Sequence, residues 1–387
     1  MALRHLTSIS DLTNDEIERL FSLADKYLAE LGDPALPYRI GQSTDSLAGR
    51  IMATLFYEPS TRTRLSFESA MSRLGGMVIS SADPATSSAA KGETLADTAR
   101  IVSAYADIIV LRHTREGAAT LAAQYASVPV INGGDGAHEH PTQTLCDLFS
   151  IRREKGHLDS LNVALLGDLK NSRTIHSLVY GLARFGANVV LMPAPGMDLP
   201  THFISEVQEG CDYVSIEGTQ LQGATAAYGP RGRSLSNPNP QIDVLYLTRF
   251  QKERWPERIA AYPIVNAEFL NSKAFEHALV LHPLPRVDEL DPDFDSDPRA
   301  GYFRQASYGV AIRMALISML VNAEDEPALE RFSTGFRHHA AENDVPASRS
   351  FCSNPNCITR TEDKPRFRAS APQSARKRCA YCGHETL

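Results

Sequence analysis

The sequence predicts an α/β protein of two doubly wound, parallel-sheet domains followed by a small four-cysteine domain. Three observations lead there. Short β-branched runs alternate with stretches of helical periodicity, the mark of βαβ units. The alternation completes one round and restarts near Ile151. Four of the six cysteines, Cys352, Cys357, Cys379 and Cys382, lie close together near the end of the sequence.

In the first round, residues 51–57 read as a strand. Ser60 can cap the next helix, on which Phe67, Ala70, Met71 and Leu74 share a face. Gly75-Gly76 stops that helix, and residues 77–80 are extended. Leu95, Thr98, Val102 and Tyr105 line a second helix, residues 108–111 and 128–131 are strands, and Leu145, Leu148 and Phe149 mark a helix after His140-Pro141. In the second round, residues 163–166 form a strand ending in Gly167-Asp168, residues 172–185 a helix, and residues 189–192 and 244–247 further strands. Residues 229–240, rich in Gly, Pro, Ser and Asn, read as a mobile loop, and residues 311–321 as a closing apolar helix. The expected domains are 1–150, with a helix 305–322 packing back on it, and 151–304; a polar linker, 325–350, leads to the last domain, 351–387.

Apolar residues make up 43% of the chain and charged residues 22%, enough to bury a real core. No apolar run reaches the roughly 18 residues that span a bilayer, so no membrane is expected. The first six residues lack a signal-peptide core, which predicts a cytoplasmic protein. A net charge of −7 disfavours nucleic acid, yet residues 351–387 carry seven Lys/Arg against three Asp/Glu, as a separate module would. In a reducing compartment, Cys352-x4-Cys357 and Cys379-x2-Cys382 suit a tetrahedral structural zinc better than disulfides. A nucleic-acid-binding zinc ribbon is the rival, because Arg366, Arg368, Arg376, Lys377 and Arg378 are basic; few aromatic residues support it. Cys146 and Cys211 stand alone and read as inert thiols.

The densest chemical signal is Phe56-Tyr-Glu-Pro-Ser60-Thr61-Arg62-Thr63-Arg64, where a strand hands over to a helix. Hydroxyls and guanidinium groups beside free N–H groups at a positive helix end suit a phosphate; a solvated Ser/Thr cap is the plain alternative. No G-x-x-x-x-G-K-[ST] or G-x-G-x-x-G is present. His140-Pro-Thr-Gln143 follows the loop Asn132-Gly-Gly-Asp-Gly, and Arg112-His113 follows a strand, both where ligands bind in open α/β sheets. Lys91 follows a small-residue stretch that reads as a lid or a solvent loop. Arg173, Arg249 and the His282-Pro-Leu-Pro-Arg286 segment put more cations at later strand ends, as a dianionic substrate needs.

In this order the pieces resemble the catalytic chain of the aspartate carbamoyltransferase family over about residues 6–321: Ser60-Thr-Arg-Thr-Arg64, Lys91-Gly-Glu-Thr-Leu-Ala-Asp97, His140-Pro-Thr-Gln143, Gly167-Asp-Leu-Lys170, Arg249-Phe-Gln251 and His282-Pro-Leu-Pro-Arg286. The first and third are shared with the wider superfamily. Arg249-x-Gln251 and His-Pro-Leu-Pro-Arg carry the aspartate-specific choice, and the His-Cys-Leu-Pro and Ser-Met-Gly elements of ornithine carbamoyltransferases are absent. The resemblance implies that Ser60, Thr61, Arg62 and Thr63 hold the phosphate of carbamoyl phosphate. Thr63, Arg112 and His140 would donate to the carbamoyl oxygen, and Gln143 with the backbone of Pro283 and Leu284 would hold the carbamoyl nitrogen and the attacking amine. Arg173 would take the α-carboxylate of L-aspartate, and Arg249 and Gln251 its β-carboxylate. Ser87 and Lys91 would reach into a neighbouring chain's site, which implies a homotrimer with shared sites; in that loop Ser88 is an alternative hydroxyl, and Ala89-Ala90 departs from the family pattern. No cofactor is expected in catalysis. Glu58 is expected to bridge to Arg173 and Arg254 on domain closure.

The end of the chain resembles the zinc domain of the same family's regulatory chain, through Cys352-x-Asn-x-x-Cys-Ile-Thr and Arg378-Cys-x-Tyr-Cys382. This implies an interface module, able to tie trimers into a larger assembly, without the nucleotide-binding domain that usually precedes it. Two other readings stay open: a carbamoyltransferase with another amino acceptor, and a non-catalytic scaffold, which would have no need of so many cations at one set of strand ends.

Overall fold

The structure, a computed structural model, describes residues 5–31, 44–82, 88–217, 220–232, 240–251, 262–322, 345–346, 352–362, 366–369 and 377–386. The chain divides into two compact units. Met1–Gly32, Ile40–Thr142 and Val310–Leu387 form the first; Asp33–Arg39 and Gln143–Gly309 form the second.

The first unit is built on β1 (Ile51–Phe56), β2 (Met77–Ser81), β3 (Ile108–His113) and β4 (Val130–Asp135), all parallel in the order β2-β1-β3-β4. Strands β1 and β3 are near-continuous apolar runs because both faces of a parallel sheet are covered. The covering helices include α1 (Asn14–Leu31), α2 (Thr61–Arg73), α3 (Leu95–Ser103) and α4 (Ala118–Tyr125). Helix α1 was not among the expected elements, although Ile17, Leu20, Phe21, Ala24, Tyr27 and Leu28 recur at helical spacing and are all buried. Helix α5 (Pro141–Lys155) follows β4.

The second unit has a six-stranded sheet of β5 (Asn162–Gly167), β6 (Asn188–Pro193), β7 (Tyr213–Ser215), β8 (Ala226–Pro230), β9 (Val244–Leu247) and β10 (Leu279–Leu281), ordered β10-β9-β5-β6-β8-β7. Its main helices are α6 (Arg173–Arg184) and α7 (Thr201–Cys211), with a short α8 (Ala267–Leu270). The four strands β10, β9, β5 and β6 are parallel, but β8 runs antiparallel to β6 and β7. The loop expected over 229–240 therefore begins inside a strand. Gly229 and Pro230 read as breakers, yet pairing with Val214 and Tyr213 of the edge strand β7 supplies the ladder that their own propensity does not. Residues 233–239 of that loop lie outside the described residues. Helix α9 (Tyr302–Val321) starts before the expected apolar run. Its first polar residues are satisfied internally: Arg304 forks onto Glu154 at 2.9 Å through both Nε and Nη2.

Most of the expected linker lies outside the described residues. β11 (Val345–Pro346), which falls inside that expected linker, joins β12 (Arg366–Ala369), β13 (Lys377–Cys379) and β14 (Glu385–Thr386) in a small antiparallel sheet, so the chain pairs with the last module before the expected boundary. This cysteine module sits on the first unit of its own chain. Ile358, Tyr381 and the four cysteines share one apolar cluster with Leu95, Ala118, Leu121 and Ala122 of α3 and α4. Main-chain bonds join them: Glu116 N–H donates to the Asn356 carbonyl at 3.0 Å, and Ile358 N–H to the Glu116 carbonyl at 2.9 Å.

Gly117 caps α4 at φ +81°, and a Cβ there would stand 2.7 Å from the Tyr381 backbone. Both facts demand glycine. Gly117→Ala is expected to cost about 2–4 kcal/mol through left-handed strain plus overpacking. Differential scanning calorimetry checks it, and an unchanged transition means that the module does not press on this turn.

Candidate active site and metal centre

In both units the candidate residues stand at the C-terminal ends of adjacent strands. This edge of an open parallel sheet is where its loops form ligand sites. In the first unit, β1 leads through Tyr57-Glu58-Pro59 to Ser60, the N-cap of α2. Ser60 adopts the extended N-cap backbone, but its hydroxyl makes no capping bond, against the expectation that it would cap the helix. A helix N-terminus without a side-chain cap keeps N–H donors for an anion. Thr61 and Arg62 are exposed in the first turn, and Thr63 is buried.

Next to β1, β3 ends in Arg112, paired in register with Phe56. Arg112 is buried; its Nη2 donates to Glu58 Oε1 at 2.8 Å and its Nη1 to the Gly133 carbonyl at 3.2 Å. Glu58, expected to meet Arg173 and Arg254, here holds Arg112, and Arg254 lies outside the described residues. His113 is structural. Burial lowers its pKa to about 4, its Nδ1 accepts from Arg115 N–H at 2.9 Å, and its ring stands edge-on to Tyr57.

Strand β4 leads to His140, which is buried. Thr142 Oγ1 lies 3.4 Å from His140 Nδ1, a contact whose direction follows the ring tautomer. The loop between is organised by Asp135. It accepts from Asn132 Nδ2 at 3.0 Å, Glu139 N–H at 3.2 Å, Gly117 N–H at 2.7 Å and His138 Nδ1 at 3.1 Å. Burial opposes charge on His138, but Asp135, Glu139 and Glu116 outweigh it and raise its pKa to about 10. Burial pushes the Glu139 carboxyl up to about 7. Lys91 ends a 3-10 helix, Ser88–Lys91, and is exposed; Ser87 lies outside the described residues.

In the second unit, β5, β9 and β10 are neighbours. After β5, Arg173 opens α6 behind Ser172, whose hydroxyl lies 3.1 Å from Thr248 Oγ1 beyond β9. Arg249 follows Thr248, its Nη1 donating to the Phe250 carbonyl at 3.1 Å, and Gln251 is partly exposed. After β10, His282 is buried, with Nε2 2.8 Å from Glu289 Oε1 and Nδ1 accepting from Leu284 N–H at 2.8 Å. Burial favours the neutral Glu289 acid, but bonds from His282 and Val287 hold its pKa below the usual range. Leu284 keeps a left-handed backbone at φ +49°, rare for a branched residue and common where a main chain is shaped for binding. Gln143 donates from Nε2 to Asp147 Oδ1 at 2.7 Å. Asp147, Gln305 and Glu289, which tie these segments together, were missed in the sequence. Only the four-residue spacing from Gln143 to Asp147 offered a signal.

Cys352, Cys357, Cys379 and Cys382 are buried free thiols whose Sγ atoms all lie within 4.8 Å of one another. The Cys352–Cys382 and Cys357–Cys379 separations are 3.6 and 3.8 Å. Four sulfurs so close suit one tetrahedral cation and no pair of disulfides. The other two cysteines lie apart; burial raises the Cys211 thiol, in keeping with an inert role.

Comparisons with known proteins agree with this division. Residues 4–153 match the carbamoyl-phosphate-binding domain of aspartate/ornithine carbamoyltransferases, and residues 159–320 match their aspartate/ornithine-binding domain. Residues 351–386 match the metal-binding domain of the aspartate carbamoyltransferase regulatory chain. The aspartate carbamoyltransferase catalytic subunit of Methanopyrus kandleri is 46% identical over 325 residues, covering 83% of this chain and 98% of the relative. The solved catalytic subunit from M. jannaschii superposes with a TM-score of 0.68 at 42% identity, over 84% of this chain and all of that one. Aspartate transcarbamoylase of Trypanosoma cruzi, solved in complex with N-(phosphonacetyl)-L-aspartic acid, gives 0.67 at 37% identity, over 81% of this chain and 94% of that one. The chain belongs to the aspartate carbamoyltransferase family, as a catalytic chain that carries the metal-binding domain of a regulatory chain.

Proposed function

We propose that this chain transfers the carbamoyl group of carbamoyl phosphate to the amino group of L-aspartate, giving N-carbamoyl-L-aspartate and phosphate, the committed step of de novo pyrimidine biosynthesis. The observation that carries the reading is the row of anion-binding residues at adjacent strand ends: Ser60–Arg62 and Arg112 in one unit, Arg173 and Arg249 in the other. The ligand in the T. cruzi complex, a phosphonate joined to aspartate, has the same chemistry.

Ser60, Thr61, Arg62 and Thr63 hold the phosphate, with Lys91 adding a cation. Thr63, Arg112 and His140 donate to the carbamoyl oxygen as it gains charge. Arg173 binds the α-carboxylate, and Arg249 and Gln251 the β-carboxylate; guanidinium forks suit both. Gln143 and the Pro283–Leu284 main chain hold the carbamoyl nitrogen and the amine. The neutral amine attacks the carbamoyl carbon, the new C–N bond forms, and the C–O bond to phosphate breaks. The departing phosphate takes the proton that the amine sheds. The chain's contribution is positioning and preorganised charge.

The metal is zinc in this reading, because tetrahedral Zn–S arms of about 2.3 Å put sulfurs about 3.8 Å apart. The assembly is a homotrimer in which Lys91, with Ser87 or Ser88, serves a neighbour's site. Exposed Leu65 on α2, Met77 and Ile79 on the edge strand β2, and Ile101 and Tyr105 at α3 support a covered face there. A larger assembly of trimers would need faces of the metal module not already spent on α3 and α4. Four free, clustered thiols fit the cytoplasm, and among the described residues no helix is long and apolar enough to cross a membrane.

A colorimetric assay for carbamoyl-aspartate, run with aspartate, ornithine and N-acetylated amines, tests the reaction. Turnover is expected with aspartate alone, and a phosphonate–succinate bisubstrate mimic should bind at least about 100-fold more tightly than either substrate. Turnover with ornithine in its place, or no affinity for the mimic, sinks the assignment.

A further inference from the structure

One buried carboxylate of the second unit has no part in the roles above. Asp147 lies on α5, one turn after Gln143, with 0% of its surface exposed. Its Oδ1 accepts from Gln143 Nε2 at 2.7 Å and from Gln305 Nε2 at 2.6 Å, and its Oδ2 from the Tyr246 hydroxyl at 2.8 Å. An ionised carboxylate offers only acceptors, so each amide must turn its NH2 group toward it. Gln305 is then left with Oε1, which takes the His282 N–H at 3.0 Å. Gln143 likewise turns its oxygen away from Asp147, as the acceptor that it can offer to a ligand.

We infer that Asp147 is the positioning residue that makes this part of the site read an NH2 group. By drawing both amide NH2 groups inward, it presents Gln143 as an acceptor and pins the main chain at His282, which begins the Pro283–Leu284 segment. The ligand class is an acyl phosphate whose acyl carbon bears NH2; a methyl group there has no proton for that oxygen. A site built to accept an N–H discriminates against an isostere that lacks one, because its acceptor is left unpaired. The inference rests on the carbamoyl-transfer reading and assigns the residue behind its choice of donor.

Asp147→Leu tests it, because leucine fills about the same space and takes away the Oδ1 acceptor that both amides share. Neither amide is then held, and both can turn. A turned Gln143 faces the ligand with NH2, and a turned Gln305 drives NH2 at the His282 N–H. Carbamoyl phosphate and acetyl phosphate are titrated into the intact enzyme without aspartate. Carbamoyl phosphate is expected to weaken by about 30-fold or more in the variant, while acetyl phosphate stays within about twofold of the parent. The paired swap Gln143→Glu with Asp147→Asn restores a carboxylate facing an amide, and should recover most of the lost preference. It also decides the matter if the single variant fails to fold. Equal weakening of the two acyl phosphates, or a swap that binds both alike, overturns the inference. A parent enzyme that makes no carbamoyl-aspartate brings down the functional reading first. A working parent whose preference survives in the variants brings down the inference alone.

Discussion

Arg112→Ala lowers kcat by about 10³-fold, the largest catalytic loss expected from one substitution here. Arg112 sits at the end of β3, held by Glu58 at 2.8 Å and the Gly133 carbonyl at 3.2 Å, so its guanidinium is fixed before any substrate arrives. A donor already in place costs no reorganisation when charge appears on the carbamoyl oxygen, and losing one such donor typically costs two to three decades. The same deletion strips a partner from Glu58, whose side chain is only 20% exposed, so stability falls too. Arg112→Lys separates the two effects. Lysine keeps the charge opposite Glu58 but not the planar fork that reaches Glu58 and Gly133 together. Melting temperature should largely recover in the lysine variant while kcat stays at least about 30-fold down. Recovery of both would mean that Arg112 matters only as a structural counter-ion to Glu58.

How much of this was visible beforehand depends on the kind of interaction. Strands such as Ile51–Phe56 and Asn162–Gly167 are legible because burial on both faces writes an apolar run into consecutive residues. The proposed phosphate loop is legible because a helix N-terminus and the hydroxyl and guanidinium side chains beside it are neighbours in sequence. The strand Ala226–Pro230 is not, because it is paired on one side with Asn188–Pro193, whose nearest residue is more than thirty positions earlier, and on the other with Tyr213–Ser215. Nor is Gln305: it reads as one polar residue near the start of an apolar helix, and its purpose emerges only when Asp147 and the His282 N–H lie on either side of it. The cysteine spacing announced a metal site, but nothing local announced that Glu116 and Gly117 would receive the module, since that surface is assembled from two turns far apart in the chain.

That receiving surface makes metal removal the experiment with the largest expected structural effect. The four sulfurs sit in the same apolar cluster as Leu95, Ala118 and Leu121, so the metal site lies against the first unit's core. The four Sγ atoms lie within 4.8 Å of one another. Four thiolates cannot share this space uncompensated, and a structural zinc commonly contributes about 10 kcal/mol or more to its module's folding. Chelation should therefore release the module. Glu116 then loses the bond from Asn354 Nδ2 at 2.6 Å together with its main-chain partners, and the Leu95 N–H at the start of α3 loses the Glu362 carboxylate at 2.7 Å. Exposing the apolar face of α4 should cost the first unit about 3 kcal/mol, a fall of about 10 °C in melting temperature. Asp135 binds both Gly117 N–H and the turn before His140, so kcat should decline with the melting temperature. Metal analysis, thiol titration and calorimetry on one chelated sample check the sequence of events. The first two should give one metal ion lost per chain and four thiols gained. If the metal leaves while melting temperature and kcat hold, the module rides on the catalytic unit without bracing it.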